Sequence, residues 1–149
     1  MTRVLFLCHG NICRSPMAEF VFKQLAQGYD IAVESKAVSR EEIGNPIYPR
    51  AAQTLRQHGI PFDDHRARQI AREDYDAFDY IVVMEEYNLP RLMRIIGEDT
   101  NGKVYRLLDF TDIPGDIEDP WYSGNFDRVY CQIETGCKGL LQHIKNTEA

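Results

Sequence analysis

The order of apolar runs and helical patterns along this chain predicts an α/β fold, a parallel sheet with helices packed on both of its faces. Three observations carry that expectation. Short, nearly continuous apolar runs, Val4–Leu7 and Tyr80–Met84 above all, read as strands buried on both faces. Segments with apolar residues at spacings of three and four follow them and read as amphipathic helices. Strands and helices alternate along the chain, which is the pattern of parallel crossover units. A length of 149 residues makes one domain, 1–149, the simplest organisation. A chain of that size buries roughly two thirds of the surface it exposes when unfolded.

Taken in order, Val4–Leu7 is the first strand. Ser15 is a good N-cap and Pro16 a good first helical residue for the helix that follows, and Met17, Phe20, Val21 and Leu25 share one face of it. Ile31–Ser35 reads as a second strand. Pro49–His58 reads as a helix stopped by Gly59, with Ala51, Ala52 and Leu55 turned inward. Tyr80–Met84 is the strongest strand, Asn88–Ile96 a helix ended by Gly97, and Val104–Leu108 a short fourth strand. The last helix carries Phe126, Val129, Ile133, Cys137, Leu140 and Ile144 on its inner face. Asp109–Tyr122 holds Pro114, Gly115, Pro120 and five acidic residues with no apolar period, and is expected to be a long surface loop. Ligands of such sheets bind beyond the carboxyl ends of the strands.

The formal net charge is −6, which argues against general nucleic-acid binding. It also requires any phosphate site to be positive locally, because the bulk field repels anions. No apolar run is long enough to span a membrane and the N-terminus has no signal-peptide pattern, so the expected location is cytoplasmic. The four cysteines show no close Cys or His pairing of the metal-binding kind, and reduced thiols are expected. Cys131 and Cys137 lie about 240° apart around the last helix and do not face each other. Cys137 is expected in the core.

The residues that carry chemistry follow the first strand: Cys8-His9-Gly10-Asn11-Ile12-Cys13-Arg14-Ser15-Pro16. A thiol, a short loop, an arginine and a hydroxyl thus stand where a strand feeds a helix. Backbone N–H groups in such a turn, together with the positive helix end, make an anion site and favour a thiolate over a thiol. Arg14 adds a planar fork for two phosphate oxygens, and Ser15 can donate to the Cys8 sulfur. Asn11 tolerates the left-handed backbone such loops require. Phosphoryl transfer through sulfur also needs an acid for the leaving oxygen. The acidic loop offers Asp109, Asp112, Asp116, Glu118 and Asp119. Spacing does not choose among them. Asp119 is favoured because Pro120 stiffens its backbone and Trp121 and Tyr122 can wall an aromatic leaving group.

With these residues in view, the chain resembles the low-molecular-weight protein tyrosine phosphatases over nearly its full length. The match runs through the Cys8 loop, Glu42-Ile43-Gly44-Asn45-Pro46, His58-Gly59-Ile60, His65-x-Ala67-Arg68-Gln69-Ile70, Phe78-Asp79-Tyr80-Ile81 before Met84, and Asp119-Pro120 with two aromatics behind it. The resemblance implies a three-layer α/β/α fold with a four-stranded parallel sheet of flavodoxin-like order 2-1-3-4, and neither a metal nor an organic cofactor. It implies Cys8 as nucleophile, Arg14 as phosphate clamp and Asp119 as general acid and base. Asn11, Ser35 and His65 match a hydrogen-bond network that supports the phosphate loop. Cys13 matches a cysteine that forms a reversible disulfide with the nucleophile. The implied partners are phosphotyrosine proteins, an autophosphorylating tyrosine kinase among them, and the implied assembly a monomer or weak dimer.

Three positions depart from the family pattern. His9 stands where an apolar residue is common, and is expected to point outward. Glu41 stands where many members place an aromatic residue on the substrate rim, which adds negative charge there and favours basic or neutral flanks. Glu85 stands where aspartate is usual, which alters a local hydrogen bond. Ile12 is the residue typical of tyrosine phosphatases, whereas threonine is usual in related arginine phosphatases. The alternatives are a protein-arginine phosphatase, a thiol-type arsenate reductase and a non-catalytic phosphopeptide-binding module. The reductase needs two further cysteines beyond the third strand, where this chain has Glu85, Tyr87, Asn88 and Leu89. A binding module needs neither the thiol nor the acid, and a phosphocysteine carrier has no use for Arg14 together with Asp119.

Overall fold

In the computed structural model, which describes residues 1–148, four parallel strands form one sheet in the order β2-β1-β3-β4. The strands are β1 (Thr2–Cys8), β2 (Ile31–Ala37), β3 (Tyr80–Val83) and β4 (Val104–Arg106). The helices are α1 (Arg14–Leu25), α2 (Pro49–Gln57), α3 (Asp74–Ala77), α4 (Leu89–Ile96), α5 (Pro120–Ser123) and α6 (Phe126–Glu148).

The alternation of side chains along β1 divides the core in two. Val4 and Phe6 point to one face, where they join residues of α1, α2 and α6. Leu5 and Leu7 point to the other, where they meet Tyr75, Phe78, Leu92 and Ile96 from α3, α4 and the turn after α3. Tyr80 and Val82 of β3 repeat the first face, Ile81 and Val83 the second. This is the three-layer α/β/α arrangement, with each face of the sheet closed by helices.

Several local expectations change. The first helix begins at Arg14 with Cys13 in the cap position, so Ser15 and Pro16 lie within its first turn. Ser15 does not cap because its hydroxyl is engaged elsewhere, as described below. β4 stops at Arg106, and Leu107–Phe110 turn into a 3-10 helix instead of extending the strand. That turn packs against α6 at Gly136 and Gly139. A Cβ on Gly139 would stand 2.2 Å from the Phe110 carbonyl oxygen, so only glycine allows this approach. The acidic segment is not wholly a surface loop. Ile117 is fully buried, its N–H donates to the Met84 carbonyl at 2.9 Å, and Pro120–Ser123 form α5. These contacts draw the segment after β4 over the carboxyl ends of β1 and β3.

Candidate active site

Cys8 is the last residue of β1, and the loop after it closes around its sulfur. Sγ receives the N–H of Asn11 at 3.3 Å and that of Ser15 at 3.4 Å, and lies 2.9 Å from Ser15 Oγ. Asn11 Nδ2 donates to the same Ser15 oxygen at 2.8 Å, which leaves the hydroxyl proton free to point at the sulfur. The N–H groups of Asn11 and Ser15 and the Ser15 hydroxyl thus all face the one sulfur. Asn11 holds φ 60°, the left-handed region that asparagine tolerates. The turn this produces aims successive N–H groups inward and makes the anion nest.

The loop is tied down from outside by buried polar groups. Asn11 Nδ2 also donates to Ser35 Oγ at 3.0 Å, and Ser35 donates to Glu19 Oε1 at 2.6 Å. His65 Nε2 lies 3.0 Å from Asn11 Oδ1 and 3.1 Å from Asn11 O, so that nitrogen carries the proton and donates to both. His65 Nδ1 lies 3.7 Å from Glu19 Oε1. Asn11, Ser35 and His65 are therefore brought together, joined by Glu19, which sequence reasoning passed over. Its spacing to Lys23 reads as a solvated ion pair, and the two do pair, yet Glu19 is buried.

Arg14 is buried and fixed from two sides. Nη1 donates to the Ile117 carbonyl at 3.1 Å and Nη2 to Glu85 Oε1 at 3.0 Å. Asp119 Oδ2 stands 3.5 Å from Nη2. Burial works against the guanidinium charge. The Glu85 hydrogen bond and the charges of Cys8, Glu85 and Asp119 outweigh it and hold the group more firmly protonated than usual. Glu85, noted in the sequence only as a departure, is thus a residue that orients the Arg14 guanidinium. Asp119 caps α5, its Oδ1 accepting the Trp121 N–H at 3.0 Å. Among the five acids of its segment it alone lines the cavity. Asp109 and Asp116 pair with Arg106, Glu118 pairs with Arg128, and Asp112 is exposed.

The cavity encloses about 740 Å³. Its lining includes Cys8, His9, Gly10, Ile12, Cys13 and Arg14 from the loop, and Glu41, Asp119, Trp121 and Tyr122 from the rim. That volume exceeds what a phosphorylated side chain needs and leaves room for neighbouring residues of a peptide. Trp121 leans on Tyr48 with ring centres 5.0 Å apart, and Tyr48 stacks on Phe126, so the aromatic wall has a rigid backing. Tyr122 stands almost free at the edge.

His9 does not point outward. Its Nε2 bonds to Glu41 Oε2, and both residues line the cavity. An imidazole beside a carboxylate in an otherwise apolar position is the physical reason for the change. The pairing also qualifies the repulsion expected of Glu41, since its carboxylate already has a donor. Cys13 is a free thiol in the same lining. Burial first, then the neighbouring charges of Cys8 and Asp119, push it up to about 12, so it remains protonated near neutrality. Cys137 is buried in the core and Cys131 is exposed.

A thiol in a donor-lined cradle at the end of a central parallel strand, with an arginine beneath and a carboxyl group at the mouth, is the constellation of a cysteine-dependent phosphomonoesterase. Residues 3–149 match the model of the low molecular weight phosphotyrosine protein phosphatases, and the chain belongs to that family. It is 42% identical over 151 residues to the low molecular weight protein-tyrosine-phosphatase YfkJ of Bacillus subtilis, with 97% of each chain covered. The crystal structure of YfkJ is similar with a TM-score of 0.94 at 40% identity, over 100% of this chain and 98% of that one. PtpA of Staphylococcus aureus, also described as a low molecular weight protein-tyrosine-phosphatase, is 35% identical over 148 residues, 97% of this chain and 94% of its own. DARP, a Drosophila arginine phosphatase, has a crystal structure similar with a TM-score of 0.85 at 33% identity, over 97% of this chain and 98% of that one.

Proposed function

We propose that this chain, acting as one domain, hydrolyses phosphotyrosine in proteins through a cysteinyl-phosphate intermediate. The observation that carries the reading is the convergence of three donors on Cys8 Sγ in the cavity that also holds Arg14 and Asp119. The sulfur attacks phosphorus as the bond to the tyrosine oxygen breaks, and Asp119 gives its proton to that oxygen. Loop N–H groups and the Arg14 fork take up the charge spread over the phosphoryl oxygens. Water then attacks the phosphocysteine, Asp119 accepts its proton, the S–P bond breaks, and inorganic phosphate leaves with the thiolate restored.

The carboxylate of Glu85 and the carbonyl of Ile117 keep the guanidinium aimed while the site turns over. Ile12 and the Trp121 face suit a flat aromatic leaving group better than a flexible one. Cys13 acts as the guard of the nucleophile. A peroxide converts the Cys8 thiolate to a sulfenic acid, and condensation with the Cys13 thiol forms a disulfide and releases water. The substrates are phosphotyrosine proteins met in the cytoplasm, an autophosphorylating kinase among them. No helix among the described residues is long and apolar enough to cross a membrane.

Turnover of p-nitrophenyl phosphate tests the chemistry. Cys8→Ser abolishes it while phosphate still binds, and surviving turnover in that variant refutes the mechanism. Asp119→Ala lowers kcat at least tenfold, since general acid catalysis is typically worth about 10²–10⁴. A panel of phosphotyrosine, phosphoarginine and phosphoserine peptides tests the substrate. A preference for phosphoarginine would replace the tyrosine reading.

A further inference from the structure

A cavity with four carboxylates in its lining, on a protein of net charge −6, is a poor receptor for an anionic peptide unless those carboxylates are already engaged. Each of them is. Glu41 is bonded to His9, and Glu42 Oε2 accepts from Asn45 Nδ2 at 2.7 Å. Glu85 and Asp119 share the Arg14 guanidinium. Two charged groups of the lining have no ion-pair partner among the described residues: the carboxylate of Glu42, which accepts only from an amide, and one cation. Arg91 is exposed on the first turn of α4, and no carboxylate of the described residues pairs with it.

Its place in the fold gives this cation a direction. In the strand order β2-β1-β3-β4 the nucleophile sits at the end of β1, between two rims. The β2 side carries the Glu41–His9 pair and Glu42, and offers no free cation. The β3 side carries Glu85, Tyr87 and Arg91. Arg91 stands on a helix whose start is stiffened by Pro90, so its position is set by backbone and not by a loop. It does not serve the phosphoryl group, which belongs with the buried Arg14 at the floor. A guanidinium at the rim, free of partners, is matched in shape and charge to a carboxylate.

We propose that Arg91 is a specificity-determining residue: it binds the carboxylate of an aspartate or glutamate that flanks the phosphotyrosine, on the β3 side of the mouth. The proposal rests on the phosphotyrosine reading above and narrows it to peptides with an acidic flank on one side only.

The test is a set of phosphotyrosine peptides with Asp, Asn or Lys placed in turn at each of the three positions before and after the phosphotyrosine. They are turned over by the parent, Arg91→Gln and Arg91→Glu, with p-nitrophenyl phosphate as the substrate that has no flanks. The parent favours Asp over Lys about two- to fivefold in kcat/KM, through KM, at positions on one side of the phosphotyrosine. Arg91→Gln removes that preference, Arg91→Glu inverts it, and p-nitrophenyl phosphate is turned over equally by all three. A parent that hydrolyses the peptides with no flank preference, or a preference that survives in Arg91→Gln, overturns the proposal and leaves the phosphotyrosine reading standing. A parent that hydrolyses p-nitrophenyl phosphate but none of the peptides overturns both.

Discussion

Replacing Asn11 separates the two things that side chain does. It is fully buried, and its amide makes four contacts: to Ser15 Oγ, Ser35 Oγ, His65 Nε2 and the Arg68 N–H. Its backbone holds φ 60°. Net hydrogen bonds of this kind contribute about 1 kcal/mol each, and the left-handed backbone costs a residue such as alanine about 1–2 kcal/mol. His65 keeps the Asn11 carbonyl and Ser35 keeps Glu19 after the change, so the lost bonds amount to about 3 kcal/mol. Asn11→Ala is therefore expected to cost about 4 kcal/mol, and Asn11→Gly, which adopts positive φ freely, about 1 kcal/mol less. Either value is a large share of a domain stability of about 5–15 kcal/mol. Both variants also release the Ser15 hydroxyl from the bond that directs its proton to the sulfur, so kcat falls about tenfold in each even at low temperature, where both stay folded. Urea unfolding and p-nitrophenyl phosphate kinetics measure the two effects. Equal stability of the Ala and Gly variants would refute the backbone part of the reasoning. A loss below about 1 kcal/mol in both would refute the network part.

Three further outcomes follow from the packing and charge of the molecule. Gly139→Ala brings a Cβ within 2.2 Å of the Phe110 carbonyl oxygen, which is backbone, whereas Gly136→Ala meets the buried Leu107 side chain at 2.5 Å. Gly139→Ala is expected to cost about 3 kcal/mol and Gly136→Ala clearly less, as read by urea midpoints. Burial raises the Cys13 thiol from 9.0 to about 12 and, with the Glu134 carboxylate, the Tyr130 hydroxyl from 10.0 to about 12. Above about pH 9 for Cys13 and about pH 10 for Tyr130, the unfolded chain releases a proton that the folded one keeps, so each group takes away stability at up to about 1.4 kcal/mol per pH unit as pH rises toward 12. Urea midpoints at pH 8, 9 and 10 must fall in that order; a flat series contradicts the assigned burial. Glu41→Tyr breaks the pair with His9 and supplies an aromatic rim, raising the ratio of kcat/KM for acidic over basic phosphopeptides about two- to fivefold, and an unchanged ratio rejects a role for that pair in peptide choice.

The sheet was legible because its strands are buried on both sides. Leu5 and Leu7 feed one core, Val4 and Phe6 the other, and a strand with two apolar faces reads as an unbroken run. The Cys8 loop was legible for a different reason. Its chemistry lies in contiguous residues at a strand-to-helix junction, so the order of residues already fixes most of the geometry. What escaped were elements whose identity depends on distant contacts. α3 and the 3-10 turn at Leu107–Phe110 are too short to show a period. Ile117 is a single apolar residue in an acidic segment, and only its bond to Met84 and its acceptance of Arg14 reveal it as the pin of that segment. Ser15 fits an N-cap by type, but a hydroxyl held by Asn11 and turned to a sulfur cannot also cap a helix. Glu19 has the spacing of a solvated pair on a helix face. Its burial appears only when β2 brings Ser35 beside it.

Arg14 also shows how an acidic protein makes a locally positive floor. The guanidinium is surrounded by Glu85, Asp119 and, when ionised, the Cys8 sulfur, so on charge alone the region is negative. The donors nevertheless face inward. Glu85 accepts from Nη2, the Ile117 carbonyl accepts from Nη1, and the N–H groups of Asn11 and Ser15 are turned toward the sulfur. Those carboxylates therefore hold the arginine charged and aimed. The field felt by a phosphoryl oxygen at the floor is set by the nearest N–H groups, because short-range donors in a partly water-excluded cleft outweigh more distant charges that solvent screens. Glu85→Gln distinguishes this from a simple surplus of negative charge. If the carboxylate only repelled anions, its removal would tighten phosphate binding. If it aims Arg14, its removal loosens the guanidinium and weakens inorganic phosphate as a competitive inhibitor, which is the expected result.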